Sequence, residues 1–219
     1  MAKKDSNADK EKKAEKDTDK KAEQDAEKRG VTLEDLHENL EARKLIPYGQ
    51  LPNIDLYMDQ VITLMAQQTE GENRRPALTS SMINNYTKQG VLPRTQGKRY
   101  TRDHLVDLTM LLYLKEVLPI LDIGELLKLL EAEGDPQWRY GKMSEILDRE
   151  KAAIMELLPQ NAEDTQELAL QTLSLGLISY ITRQTALDLL DLAKDKVKTK
   201  VDEQSKGKAE VEVEESQPE

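Results

Sequence analysis

The sequence predicts an all-α-dominated fold with a C-terminal helical region and disordered charged termini. Three observations carry that prediction. From about Leu40 to Ala193 apolar residues recur at three- and four-residue spacing, Thr and Asp stand at candidate helix starts, and Gly and Pro stand at the stops. Charged residues make up 34% of the 219 and hydrophobic ones 37%, so part of the chain lacks the apolar surface that offsets the entropy of ordering. That deficit is concentrated at the two ends.

Residues 1–30 hold ten basic and nine acidic side chains with no apolar periodicity and read as a disordered mixed-charge tail. Residues 195–219, ending in Glu210, Glu212, Glu214, Glu215 and Pro218, read as an acidic disordered tail. Between them, residues 40–133 form the expected main domain and 134–194 the helical region. Asp55 to Gln68 places Leu56, Ile62 and Met65 near one face, with Asp55 suited to the first turn, after an extended Leu51-Pro52-Asn53 entry. Glu70 to Pro76 is a polar loop. Thr79 is a good N-cap for a short helix through Lys88, and Gly90 is placed to end it in a left-handed conformation. Val91 to Tyr100, with Pro93 and Gly97, reads as a loop or a small two-stranded turn. Thr101 caps a helix whose stripe is Leu105, Leu108, Leu112 and Val117 or Leu118; Pro119 stops it, and a helix resumes from Ile120 to Glu131. Asp135-Pro136-Gln137-Trp138 reads as a loop before two helices, about Lys142 to Leu158 and Ala162 to Lys194. The last carries Leu168, Leu170, Leu173, Leu175, Leu177, Ile178, Ile181, Leu187, Leu190 and Leu192 on more than one face. Such an arc calls for cover on several sides, either by its own domain or by another subunit, and the second leads to an expected homodimer through the C-terminal helices.

Composition also removes function classes. With no cysteine there is no disulfide, thiolate metal site or cysteine nucleophile, and a reducing cytoplasm fits. Imidazole chemistry rests on His37 and His104 alone, and no Gly-rich phosphate loop, metal-spaced His/Asp set or nucleophile elbow is present. The expectation is a non-enzyme without metal or cofactor. Asp188 and Asp191 read as solvent-facing charge, His104 as a surface or satisfied residue, and Trp138 and Tyr140 as packing residues. Neither a signal-peptide core in residues 1–20 nor an apolar run near the ~20 residues that span a bilayer appears, so no membrane partner is expected.

A net charge of −10 looks hostile to nucleic acid until it is resolved along the chain. Residues 72–102 carry seven basic side chains and one acidic: Arg74, Arg75, Lys88, Arg94, Lys98, Arg99 and Arg102 against Glu72. This island coincides with the short capped helix and the Gly-containing turn. The order of a capped helix, a Gly90-Val91-Leu92-Pro93 corner, a basic turn through Gly97-Lys98-Arg99-Tyr100-Thr101, and the Pro119-Ile120-Leu121-Asp122-Ile123 break resembles the DNA-binding half of MerR-type winged helix-turn-helix regulators. Ser80 to Tyr86 stands where that family has its recognition helix, with Asn84-Asn85-Tyr86 in place of Arg-Tyr-Tyr. Leu51-Pro52-Asn53-Ile54-Asp55-Leu56-Tyr57-Met58-Asp59-Gln60 and Met82 to Lys88 are closer still to an uncharacterised Gram-positive bacterial family, a domain of unknown function with a MerR-like helix-turn-helix. The resemblance covers about Leu51 to Leu130 and implies double-stranded DNA as partner and transcription regulation as function. A small effector is left open.

The residues support that reading on their own chemistry. A helix N-terminus flanked by Thr79 and Ser81 offers N–H groups and hydroxyls to a phosphate. Asn84 and Asn85 suit base edges, Asn being matched to adenine in the major groove. Lys88, Arg94, Lys98, Arg99 and Tyr100 would hold phosphates and fix register. About five phosphate contacts would give a log–log salt slope of about −4 to −5 per protomer. Tyr86 and Tyr100 read equally well as parts of a small core. The alternative function is a protein-interaction adaptor on a helix-turn-helix scaffold, docking through the basic turn or the leucine-rich last helix.

Overall fold

The computed structural model describes residues 32–68, 78–159, 161 and 163–215, with side chains placed as far as residue 199. The tail at 1–30, the loop from Glu70 to Pro76 with Arg74 and Arg75, and the last four residues lie outside the described residues. Among the described residues the chain is helical, without a strand: α1 (Leu33–Ala42), α2 (Met58–Gln67), α3 (Ser80–Lys88), α4 (Arg102–Leu114), α5 (Ile120–Glu133), α6 (Pro136–Glu156) and α7 (Thr165–Glu215), with a 3-10 turn at Tyr48–Gln50. The helix-dominated class expected from apolar spacing is what forms.

The core is organised around α4. Its residues from His104 to Leu112 are all buried, because α2, α5 and α6 pack against it from different sides. A single stripe was expected; Val106, Met110 and Leu111 make the helix apolar nearly all round, as befits a central element. Burial on every side encloses polar groups too, and each then requires a partner. Thr109 Oγ1 donates to the Leu105 carbonyl at 2.8 Å, and Asp107 Oδ1 accepts from Arg139 Nη1 at 2.5 Å across to α6. Gln68, at the end of α2, accepts from Ile46 N at 3.0 Å and donates to Tyr140 Oη at 2.8 Å, while Tyr140 Oη donates to the Ile46 carbonyl at 2.8 Å. This closed triangle ties the entry segment, α2 and α6 together. The core therefore reaches past the expected domain edge at 133, since Arg139 and Tyr140 lie within it.

Several boundaries differ from expectation for identifiable reasons. Asp55 lies outside the second helix, because Leu56 pairs with Tyr100 in an antiparallel bridge and α2 begins only at Met58. Asp135 to Trp138 is no loop: Asp135 accepts from Trp138 N at 2.8 Å as the N-cap of α6, and Pro136 takes the first helical position, where its missing N–H costs nothing. Helix α1, ahead of the expected domain start, is set by a capping box in which Thr32 and Asp35 satisfy each other's backbone N–H. The last helix starts at Thr165 rather than Ala162 and runs on to Glu215, past the expected end at Lys194 and through most of the segment read as a disordered tail. Lys, Glu, Gln and Ala, which recur here, are good helix formers, and charge pairs such as Lys198–Asp195 at i,i+3 need no core.

Helix α7 meets the rest of the protein through α5 only along part of its length. Leu190 is buried, Leu187 packs against the core, Arg183 Nε donates to the Val117 carbonyl at 2.7 Å, and Lys194 bridges Asp191 and Asp122. Upstream, Leu170, Leu173, Leu177 and Tyr180 are 58%, 58%, 53% and 63% exposed. Among the described residues the cover expected for this apolar arc is fullest around Leu187 and Leu190, with Leu168, Leu175 and Ile178 half-buried upstream.

Candidate functional site

Helix α3 owes its position to two buried residues, Ile83 and Tyr86, which hold one face against the core while α2 packs beside it. Thr79 caps it, Oγ1 accepting from Met82 N at 3.2 Å, and so leaves its own hydroxyl proton free to donate. On the opposite face Ser81, Asn84, Asn85 and Lys88 are all exposed. Their i, i+3, i+4, i+7 spacing makes one continuous polar stripe along a nine-residue helix. Gly90, at φ +72°, ends the helix in the left-handed region, and Val91 N and Leu92 N donate back to the Tyr86 carbonyl. The corner then turns inward, burying Val91 and Leu92 and leaving Pro93 and Arg94 outside.

The basic turn that follows is a tight hairpin. Gln96 and Arg99 form a bridge, Arg99 N donates to the Gln96 carbonyl at 3.1 Å, and the two central residues, Gly97 and Lys98, have φ of +58° and +62°. Consecutive positive φ values are what primed hairpin turns require. Lys98 stands where Gly or Asn would be less strained, which points its exposed ammonium out at the hairpin tip. The base of the hairpin is fixed by the paired Leu56 and Tyr100, whose N–H groups donate to each other's carbonyls at 2.9 and 2.8 Å.

The structure separates the predicted site residues into two groups. Thr79, Ser81, Asn84, Asn85, Lys88, Arg94, Lys98 and Arg99 are exposed. Tyr100 is only 5% exposed; its ring packs edge-on to His104 with centroids 5.6 Å apart, and burial raises its pKa above the usual phenol value. Tyr86 is buried likewise, its pKa raised by burial and by nearby Glu116. His104, read as surface or satisfied, is buried and takes part in the Thr101 capping box. Burial lowers its pKa, against the opposing influence of Asp103, the Pro93 carbonyl and Asp55.

Arg102 belongs to the basic island by sequence but not by role. Its Nη2 donates to the Leu51 carbonyl at 2.7 Å, its Nε to the Pro52 carbonyl at 3.2 Å, and its guanidinium lies 4.9 Å from the Tyr48 ring centroid. It pins the entry segment to α4. No ion pair among the described residues involves Lys88, Arg94, Lys98 or Arg99. Arg99 does meet one residue the sequence reading passed over: Tyr57, 51% exposed, whose hydroxyl accepts from Arg99 Nη2 at 3.3 Å and whose ring lies 5.4 Å below the guanidinium. These partners are 42 positions apart, so no local pattern could announce the pair. What remains exposed on the described part of α3, the corner and the hairpin is four cations, two amides and N-terminal hydroxyls; among the described residues no group of three or more His, Asp or Glu side chains gathers as metal ligands. Among the described residues no helix is long and apolar enough to cross a membrane.

No curated protein and no solved structure matches the chain. Residues 46–143 match a family model described as Domain of unknown function (DUF1836), a span that begins just before the 3-10 turn and ends inside α6. Residues 46–143 are thus similar to that family, and the α3 surface and the basic hairpin both lie inside the matched span.

Proposed function

We propose that the protein is a cytoplasmic, non-enzymatic regulator of transcription that binds double-stranded DNA sequence-specifically through a MerR-like winged helix-turn-helix, with α3 as recognition helix and the 96–99 hairpin as wing. The observation that carries this reading is the stripe Ser81, Asn84, Asn85 and Lys88, exposed along one face of α3 while Ile83 and Tyr86 anchor the other. A helix held by two buried residues and offering amides at its centre has the chemistry needed at major-groove base edges. Arg94, Lys98 and Arg99, on the corner and hairpin that follow it in the chain, serve as phosphate contacts in this reading, with Tyr57 holding Arg99. Four exposed cations rather than five or more bring the salt slope to about −3 to −4 per protomer. The acidic remainder of the chain weakens non-specific attraction and leaves binding dependent on this face.

The active form in this reading is a homodimer. Leu170, Leu173, Leu177 and Tyr180 follow one another at three-, four- and three-residue intervals, the seam of a two-helix coiled coil, and all are more than half exposed. A dimer sets two recognition helices about one turn of duplex, or a multiple, apart.

Electrophoretic mobility shift with genomic fragments tests the reading. Lys98→Ala/Arg99→Ala weakens binding to all fragments alike, whereas Asn84→Ala loses preference among them. Absence of any shift at low salt would return the protein to the adaptor reading. Light scattering that gives a monomer at micromolar concentration would remove the dimer.

A further inference from the structure

One buried titratable group has no part in the proposed surface, yet it stands where the hairpin, the corner and α4 meet. His104 is 7% exposed, its ring edge-on to Tyr100 at the hairpin base, with the Pro93 carbonyl of the corner close by. Thr101 N donates to its Nδ1 at 3.2 Å, and Thr101 Oγ1 lies 2.8 Å from the same nitrogen. Its Nε2 is fully shielded and has no hydrogen-bond partner among the described residues.

A backbone N–H can only donate, so Nδ1 presents a lone pair and the neutral ring carries its proton on Nε2. A second proton therefore adds to Nδ1. The Thr101 hydroxyl can turn and accept it, but the Thr101 N–H cannot, so two N–H groups then face each other and the N-cap of α4 loses its backbone partner. Gln, a usual occupant of this third helical position, accepts from the cap without titrating. Histidine there makes the cap depend on a proton. The cap residue also follows Tyr100 directly, and Tyr100 pairs with Leu56 to fix the base of the hairpin.

We propose that His104 is a proton-operated latch between α4 and the 96–99 hairpin. The latch is closed while the ring is neutral; protonation of Nδ1 strands the Thr101 N–H and loosens the Leu56–Tyr100 bridge, while the packed helices stay in place. Burial favours the neutral ring and closes the latch at neutral pH. The groups facing the ring oppose burial: Asp103 on α4, Asp55 ahead of α2 and the Pro93 carbonyl of the corner all favour the charged form, which brings protonation within reach of mild acid. Tyr100, its own pKa raised by burial, stays neutral throughout. The latch does not depend on DNA binding. In the DNA reading its opening takes Lys98 and Arg99 out of register with the phosphates.

The test is nuclear magnetic resonance on the full chain between pH 7.5 and 5. Ring-nitrogen shifts report the tautomer and titration of His104, and hydrogen exchange, corrected for the intrinsic rate at each pH, reports protection of the Leu56, Tyr100 and Thr101 amides. The Nε2–H tautomer is expected at pH 7.5. As the ring gains its second proton the three amides lose protection about fivefold to tenfold, the scale of a lost cap, while Leu108 and Leu111 within α4 keep theirs. In His104→Gln the three amides are equally protected at both ends of the range. Asp107, also buried and titrating at about 6, is stabilised by its proton and so cannot mimic a loss in acid. The proposal is overturned by an Nδ1–H tautomer at pH 7.5, by a ring that stays neutral down to pH 5, or by protonation that leaves the three amides unchanged. An equal loss at Leu108 and Leu111, or the same acid response in His104→Gln, overturns it as well.

Discussion

Two sets of cationic side chains divide this molecule. Arg102 and Arg139 are enclosed or half-enclosed, Arg102 donating to the Leu51 and Pro52 carbonyls and Arg139 paired with Asp107. Lys88, Arg94, Lys98 and Arg99 project from α3, the corner and the hairpin, with no ion pair to any described residue. The first set builds the scaffold, and the second is the set the proposed reading assigns to DNA. A basic cluster counted along the sequence mixes the two. Burial separates them, and with Arg102 reassigned the candidate contact surface becomes smaller.

The sharpest way to break this division is at Arg139. Arg139→Met strands Asp107 in the core, and removal of one partner of a buried pair costs about 3–5 kcal/mol. Arg139→Met/Asp107→Leu recovers most of that loss in urea denaturation, because two apolar residues replace two buried charges. If the double variant were as unstable as the single one, the pair would be doing more than neutralising itself.

The same pair sets a pH dependence. Burial raises the Asp107 pKa from 3.8 to about 6, against the pull of Arg139, so the folded protein holds this proton more tightly than the unfolded chain. The stabilisation is therefore full below about pH 4 and is lost as pH rises through 6, a tilt on the order of 2–3 kcal/mol. His104 runs the other way: its lowered pKa gives stability that is present above pH 6.5 and lost as pH falls. Comparison of wild type with Arg139→Met/Asp107→Leu across pH 4–7 isolates the Asp107 slope, which only the wild type shows.

A smaller effect is expected at Gln68→Leu. The substitution leaves Ile46 N without its acceptor and removes one partner of Tyr140, for a loss of about 1–3 kcal/mol by urea denaturation. Smallest are the solvent-facing cations. Lys88→Ala and Arg94→Ala change stability by no more than about 0.5 kcal/mol, while each lowers the salt dependence of DNA binding by about one phosphate contact. A cation whose removal destabilises the fold belongs with Arg102 instead.

How much of this was legible in the sequence depended on the range of the interaction. Thr79, Gly90, Gly97 and Thr101 mark local events, a cap, a left-handed stop, a primed turn and a capping box, and each forms where its own chemistry places it. The stripe on α3 was legible for the same reason, since helical periodicity alone puts Ser81, Asn84, Asn85 and Lys88 together. Arg102 and Arg139 were not, because their partners lie 50 and 32 positions away and depend on how α4 meets the entry segment and α6. The Asp135-Pro136 pair was open to both readings, turn or helix start, and packing of Tyr140 decided it. The extent of α7 was missed because charge-rich sequence serves a solvated helix as well as a tail.

The most direct test of the central claim is a salt titration of duplex binding by fluorescence anisotropy, with wild type and Lys98→Ala/Arg99→Ala side by side. The wild type is expected to show a log–log slope of about −3 to −4 per protomer, shallower by about 2 in the variant. Equal slopes for the two proteins, or no binding of duplex by the wild type at low salt, would contradict it.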